Sequence, residues 1–179
     1  MQDTNSPPPA PAPDKVFLFS GHMIDRPDRA EPRFPADKES IAAARIAQAL
    51  DNLGAGPGDL AFAQGAAGGD ILFAEACLAR GLTFQMLLPF PEAEFIAASV
   101  LPSANGEAWH QRYLNLRQRL KLPARILPDD VEVLHSADDG RPLEKHDQLD
   151  PYARCNLWLL NSALSHGLSR LRFICLWNG

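Results

Sequence analysis

Cysteine is scarce in this chain: Cys77, Cys155 and Cys175 are the only three in 179 residues. An odd set without paired or metal-ligand spacing argues against a disulfide framework or a thiolate metal site. Each lies inside an apolar run, where free cysteine is expected to behave as a small buried hydrophobe, and a reducing cytoplasm is the expected setting. Long hydrophobic runs are also missing. No stretch approaches the roughly 18–20 apolar residues that span a bilayer, and residues 1–13 lack the basic start and apolar centre of a secretory signal. Positive charge is in deficit, with 17 Lys and Arg against 22 Asp and Glu for a net charge of −5. That balance argues against attachment to nucleic acid or anionic membrane by bulk charge and leaves room for local basic patches. The Walker phosphate loop, the G-x-G-x-x-G dinucleotide fingerprint and the G-x-S-x-G nucleophile elbow are all absent.

Hydrophobic residues make up 46% of the chain and charged residues 22%. This is ordinary composition for one domain with a full core, needing no disulfide or metal staple. The sixteen prolines are unevenly placed: Pro7, Pro8, Pro9, Pro11 and Pro13 crowd the start, where no large apolar residue follows Met1. Residues 1–14 are therefore expected to form a disordered proline-rich tail, and residues 15–179 a single domain.

Within that domain short apolar runs alternate with helical patterns. Val16 to Phe19 is apolar on both faces, as in a strand buried between helix layers, and Ser20, Gly21 and His22 end the run. A helix is expected from Lys38 to Leu53, with Asp37 as N-cap and Gly54 beyond its end. Asp59 to Gln64 reads as a strand, followed by a glycine-rich turn and a helix to Arg80. Thr83 to Leu88 is a third strand. Helices over Glu92–Val100 and Glu107–Leu120 precede a short strand at Ala124–Leu127. The acidic stretch to Leu149 reads as loop. Asp150 and Pro151 then open a helix whose Leu157, Trp158, Leu159, Leu160 and Leu164 make it apolar nearly all round, hence well buried. Arg172 to Trp177 closes as a fifth strand. This order predicts an α/β fold with an open, doubly wound, mainly parallel sheet and helices on both faces. Ligands of such folds bind beyond the carboxyl ends of the strands, where strand order reverses.

The loop after the first strand, Ser20 to Asp37, is long for an α/β connection, usually about 2–6 residues. Gly21 permits a sharp turn or close approach, and His22, Arg26, Arg29 and Arg33 supply donors suited to phosphate or carboxylate. Either the loop folds over an anion, or its arginines pair with Asp25, Asp28 and Glu31; the second is the simpler account of Arg29 and Arg33. After the second strand, Gly65-Ala66-Ala67-Gly68-Gly69-Asp70 can point backbone N–H groups at a phosphate at the helix N-terminus. A tight packing turn explains one of these glycines more easily than Gly68 and Gly69 together. Glu75 shares an arc with Ile71, Leu72, Leu78 and Ala79, which is expected to face the sheet. A carboxylate there needs either a job in the crevice, as a ribose ligand or general acid–base, or a buried ion pair. After the third strand, Phe90 can lie against a base, with Glu92 or Glu94 near a ribose, although Glu94 reads better as a solvated acid. Arg112, Arg117 and Arg119 read as a solvated helix face. His135, Asp138, Asp139, His146 and Asp147 lack the close spacing that places two metal ligands on one helix face.

The Ser20-Gly21-His22 loop, the segment Gln64 to Gly81 and Leu87-Leu88-Pro89-Phe90-Pro91-Glu92-Ala93-Glu94-Phe95 together resemble bacterial SLOG-superfamily proteins. These are Rossmann-like domains related to the DNA-processing protein DprA and to the LOG phosphoribohydrolases. The resemblance spans Val16 to Gly179 and is strongest from Gln64 to Phe95. It implies a Rossmann-like sheet of about five strands with a nucleotide or ribose-phosphate ligand at the glycine-rich turn. It also implies a ligand sensor acting as a homo-oligomer or beside a fused or neighbouring effector. In the LOG signature P-G-G-x-G-T-x-x-E, Gly68, Gly69 and Glu75 match at the same spacing, while Ala67, Ile71 and Leu72 replace the Pro, the last Gly and the Thr. Three readings follow. In the first, Gly21, Gly65, Gly68 and Gly69 hold a nucleotide-type ligand, His22 and Arg26 close over it, Phe90 meets its base, and no cofactor or metal is required. In the second, Glu75 serves an N-glycoside hydrolase; in the third, the domain mediates interactions without catalysis. Because the last strand has no helix after it, a C-terminal covering helix is expected beyond this sequence.

Overall fold

The computed structural model describes residues 12–128 and 150–177. Residues 1–11 of the tail expected over 1–14 lie outside them, as do His135, Asp138, Asp139, His146 and Asp147 of the acidic stretch. Asp14 donates its N–H to the Gly58 carbonyl at 3.2 Å and so is held against the domain. Five strands, β1 (Val16–Gly21), β2 (Leu60–Ala63), β3 (Thr83–Leu88), β4 (Arg125–Ile126) and β5 (Leu171–Leu176), form one sheet in the order β4-β3-β2-β1-β5. Every pairing is parallel. Among the described residues five α-helices accompany them: α1 (Glu39–Asn52), α2 (Gly69–Ala79), α3 (Glu92–Ser99), α4 (Gly106–Arg119) and α5 (Pro151–Leu164). The fold is α/β, Rossmann-like and doubly wound.

Side chains alternate along the strands as the pleat requires, and each set builds its own core. Phe17 and Phe19 of β1 pack with α1, α2 and α4 through Ile46, Leu50, Ile71, Phe73, Trp109 and Tyr113. Val16 and Leu18 point the other way, against Cys155, Trp158, Leu159 and Ala163 of α5. Fully burying side chains of this size contributes about 1.5–3 kcal/mol each, which is why the runs apolar on both faces become inner strands. Helix α5 opens as its sequence demands: Asp150 Oδ1 accepts from the backbone N–H of Tyr152 at 2.9 Å and of Ala153 at 3.2 Å, with Pro151 in the first turn.

The chain steps outward from β1 through β2 and β3 to β4, and α5 then returns it to the far side of β1. Strand order therefore reverses between β1 and β5, and the carboxyl ends of those two strands are the place for a ligand. β1 runs two residues past the expected end at Phe19, because β5 pairs Ser20 with Cys175 and Gly21 with Leu176. Two burial expectations fail for a shared reason. Cys175 is exposed, and α5 leaves Asn156 and Leu160 exposed rather than being buried all round. β5 is an edge strand, and among the described residues α5 alone covers that face of the sheet.

Gly68 carries the sharpest constraint in the fold. Its φ is 102°, and a Cβ there would sit 2.5 Å from the backbone nitrogen of Ile24. Gly54, just past α1, has φ 64° with nothing within 4 Å of an added Cβ. Both conformations disfavour a side chain, but only Gly68 adds a collision with backbone. Gly54→Ala is expected to cost about 1 kcal/mol, and Gly68→Ala about 3 kcal/mol or more. Urea denaturation of the two variants measures the difference; equal losses would contradict the close-approach explanation.

Candidate functional site

Two cavities lie at the carboxyl ends of β1 and β5, one on each side of the segment that leaves β1. Between them the backbone of the first loop is held against the glycine-rich turn. Gly69 donates to the His22 carbonyl at 3.1 Å, Ile24 donates to the Ala67 carbonyl at 2.9 Å, and Met23 bridges Gly68 in antiparallel fashion. An added Cβ on Gly69 would stand 3.0 Å from the Phe19 ring and 3.1 Å from the His22 oxygen. Gly68 and Gly69 together are thus explained by one close backbone crossing. Gly21 lies in β1, where a Cβ would meet the Phe19 ring at 2.8 Å and Leu176 at 2.9 Å.

Four backbone donors of the turn, those of Gly65, Ala66, Ala67 and Gly69, are engaged inside the protein. Asp70 Oδ2 accepts from the N–H groups of Gly65 and Ala66, each at 3.1 Å, and Ala67 donates to the Ser99 carbonyl at 2.9 Å. A carboxylate from the first turn of α2 therefore takes up N–H groups that would otherwise face a phosphate.

The first cavity is a groove of about 260 Å³ lined by His22, Arg33, Phe34, Pro35, Lys38, Ile41, Ala42, Arg45, Leu176 and Trp177. The rings of His22 and Trp177 pack against each other in a tilted arrangement, with centroids 4.6 Å apart and 31° between planes, and Trp177 remains 68% exposed. Lys38, Ile41, Ala42 and Arg45 stand at i, i+3, i+4 and i+7, the spacing that aligns side chains along one helix face. Three cations thus border an aromatic pair where strand order reverses. The first loop is anchored by Asp25, whose Oδ2 accepts from the N–H groups of Arg33 at 2.8 Å and Phe34 at 2.9 Å. Arg29 lies 3.4 Å from Asp25 and donates to the Glu31 carbonyl, as the simpler reading of that arginine expects. Arg26 is exposed and lines neither cavity.

The second cavity is a cleft of about 160 Å³ on the α5 side. Ser20 and Gly21 of β1, Gln64 and Asp70 around the glycine-rich turn, Ser99, and Tyr152 and Asn156 of α5 supply its polar surface. Gln64 donates to Asn156 Oδ1 at 2.8 Å, and the hydroxyls of Ser99 and Tyr152 are 2.8 Å apart. Phe90 meets Tyr152 edge-on, with ring centroids 5.4 Å apart, and so buttresses the cleft from one residue away.

Glu75 stands apart from both cavities. Its carboxylate receives two hydrogen bonds from Arg112 of α4, at 2.9 and 2.5 Å, while Arg112 also reaches Glu39 of α1 at 2.7 Å and lies over the Trp109 ring. The expectation that its arc faces the sheet is corrected. α2 packs against β1, β3, α1 and α4, so apolar residues surround it and do not mark the sheet side; Ala79 on that arc is exposed. Glu92 is likewise paired, to Arg117 and the Tyr113 hydroxyl, and Arg117 holds its carboxyl below the usual range. Among the described residues no group of three or more His, Cys, Asp or Glu side chains could hold a metal ion, and no helix is long and apolar enough to cross a membrane.

Sequence reasoning placed His22 at a cavity and missed Trp177, Lys38 and Arg45. Applying the strand-end rule to the fifth strand would have singled out Trp177, and the seven-residue spacing of Lys38 and Arg45 was legible. The role of Asp70 was not foreseen. Its reach back to the turn depends on the glycine crossing, which the sequence does not display.

Burial raises the Asp70 carboxyl to about 6, against partial relief from the backbone donors of Ala66, Gly65 and Gln64. A carboxyl with a higher pKa folded than unfolded favours its neutral form in the fold. Its contribution is fully present below about pH 4 and lost as pH rises through about 6. Asp70→Asn cannot ionise and is expected to escape that loss. From pH 4 to pH 7 the unfolding free energy of the native protein should fall relative to that of the variant by on the order of 2 kcal/mol. Urea titrations of both proteins across that range measure the gap, and a constant gap would contradict the assignment.

No family model matches the chain, and no curated protein matches it.

Proposed function

We propose that this domain binds a small molecule of the nucleotide or ribose-phosphate class as a ligand sensor, in the groove between His22, α1 and Trp177. The observation that carries the reading is the tilted His22–Trp177 ring pair bordered by Arg33, Lys38 and Arg45. A nucleotide has a flat aromatic face and a compact anionic end. An exposed indole accepts the first by stacking, worth about 1–3 kcal/mol per base, and guanidinium and ammonium groups accept the second. The strand-order rule supports the same location, and the resemblance to SLOG proteins supports the class of ligand but not its place. The groove is smaller than the usual range of about 300–1,000 Å³ for ligand pockets and is open to solvent. A bound nucleotide would therefore leave part of itself in water, reachable by an effector.

This reading moves the anion from the glycine-rich turn to the basic side of the first loop. It keeps His22 in the site, adds Arg33, and leaves Arg26 and the turn glycines outside. The hydrolase alternative needs Glu75 as acid or base, and the bidentate hold of Arg112 on that carboxylate counts against it.

Ribonucleoside mono-, di- and triphosphates supplied as a panel are expected to include members that raise the melting temperature and are recovered unchanged. Trp177→Ala and the double change Lys38→Ala with Arg45→Ala should each weaken binding about tenfold or more, equivalent to about 1.4 kcal/mol, while Glu75→Gln should leave it unaltered. Binding that survives both groove variants would contradict the site. Base release abolished by Glu75→Gln would support the hydrolase instead.

A further inference from the structure

The Asp70 cleft has a chemistry of its own, opposite in sign to that of the basic groove. Among the described residues, no lysine, arginine or histidine lines it. Asp70 is 9% exposed, and its hydrogen bonds to the turn come from backbone N–H groups rather than from a cation. A buried carboxylate in that position attracts a hydrogen-bond donor or a positive charge and repels an anion. A strongly perturbed acid in a cleft is also the kind of group found at binding sites.

The cleft does not stand alone. A groove of about 450 Å³ adjoins it, lined by Leu18, Leu157, Leu160, Leu171 and Phe173, and the two share Phe19, Ser20, Asn156 and Leu159. Among the described residues α5 is the one helix on that face, and Phe173 of the edge strand is 58% exposed. Together they make one elongated cavity, polar and acidic at the Asp70 end and apolar along α5 and β5. That division of surface is typical of small-molecule sites, where an apolar wall holds the body and a few polar groups orient the head.

We propose that this cavity is a second ligand site, taking a small molecule with an ammonium or hydroxyl head toward Asp70 and an apolar or aromatic body along Leu157, Leu160 and Phe173. It selects against carboxylates and phosphates by charge. It does not depend on the nucleotide reading, because it shares no lining residue with the His22–Trp177 groove.

Three probes with the same tail and different heads test the assignment: 2-phenylethylamine, 2-phenylethanol and 3-phenylpropionate, titrated calorimetrically at pH 7.5 into the full chain. The amine is expected to bind at least tenfold more tightly than the carboxylate, with the alcohol between them. Asp70→Asn should erase the preference of amine over alcohol. Because that variant alters a buried group, Phe173→Ala provides an independent reading: it lies on the exposed edge strand and should weaken all binding probes severalfold. A saturating nucleotide from the panel that binds should leave amine affinity unchanged. Equal binding of amine and carboxylate, no binding of any probe at millimolar concentration, or insensitivity to both variants would each overturn the proposal. Competition between amine and nucleotide would overturn the claim of a second site while leaving the nucleotide reading intact.

Discussion

Where the chain leaves β1, its backbone crosses the glycine-rich turn at a distance that excludes any side chain on Gly68. Two backbone hydrogen bonds, from Gly69 to His22 and from Ile24 to Ala67, hold the crossing. Much of the surrounding arrangement depends on it. It uses the Gly69 N–H, while the adjacent donors of Gly65 and Ala66 go to Asp70. It also fixes the position of His22, whose ring lies tilted against that of Trp177 at the end of β5. The acidic cleft and the basic groove then lie on opposite sides of the same few residues.

The charged side chains divide into two kinds by their partners. Arg112 ties α2 to α1 and α4 through Glu75 and Glu39, Arg117 ties α4 to α3 through Glu92, and Arg80 ties α2 to α1 through Asp51. These pairs are partly exposed, and each is worth at most about 1 kcal/mol. They orient helices more than they hold the fold together. Asp25 and Asp59 are buried and organise loops by accepting backbone N–H groups: Asp59 takes those of Lys15 and Gly56, each at 2.9 Å. Asp59 also lines a cavity but is paired with Lys15 at 3.4 Å, whereas Asp70 lines its cleft with bonds from the backbone N–H groups of Gly65 and Ala66.

Much of the fold was legible because its signals are local. A run apolar on both faces marked β1, short strand patterns marked β2 and β3, and Asp150-Pro151 marked the start of α5. The parallel, doubly wound order followed from strand and helix alternation. The site was legible in part. The rule of strand carboxyl ends led to His22, but glycine content suggested an anion cradle where the folded chain has a backbone crossing. Composition does not distinguish a glycine that approaches a ligand from one that approaches another loop. Glu75 was misread for a related reason: a helix packed against the sheet and two other helices carries no single apolar stripe, so periodicity cannot say which side faces the sheet. Cys175 and Leu160 turned out exposed because strand order, not local sequence, puts β5 at an edge.

The central claim is that the anion-binding surface lies at His22, Lys38, Arg45 and Trp177 and not at the turn glycines. Amide and indole chemical shifts, followed by ¹⁵N-resolved NMR during titration with a nucleotide that stabilises the protein, test it most directly. The largest changes are expected at the Trp177 indole N–H and at the amides from Phe34 to Ala42, with Gly65, Gly68 and Gly69 little altered. Dominant shifts at Gly68, Gly69 and Asp70, with the Trp177 indole unmoved, would contradict it and return the phosphate to the glycine-rich turn.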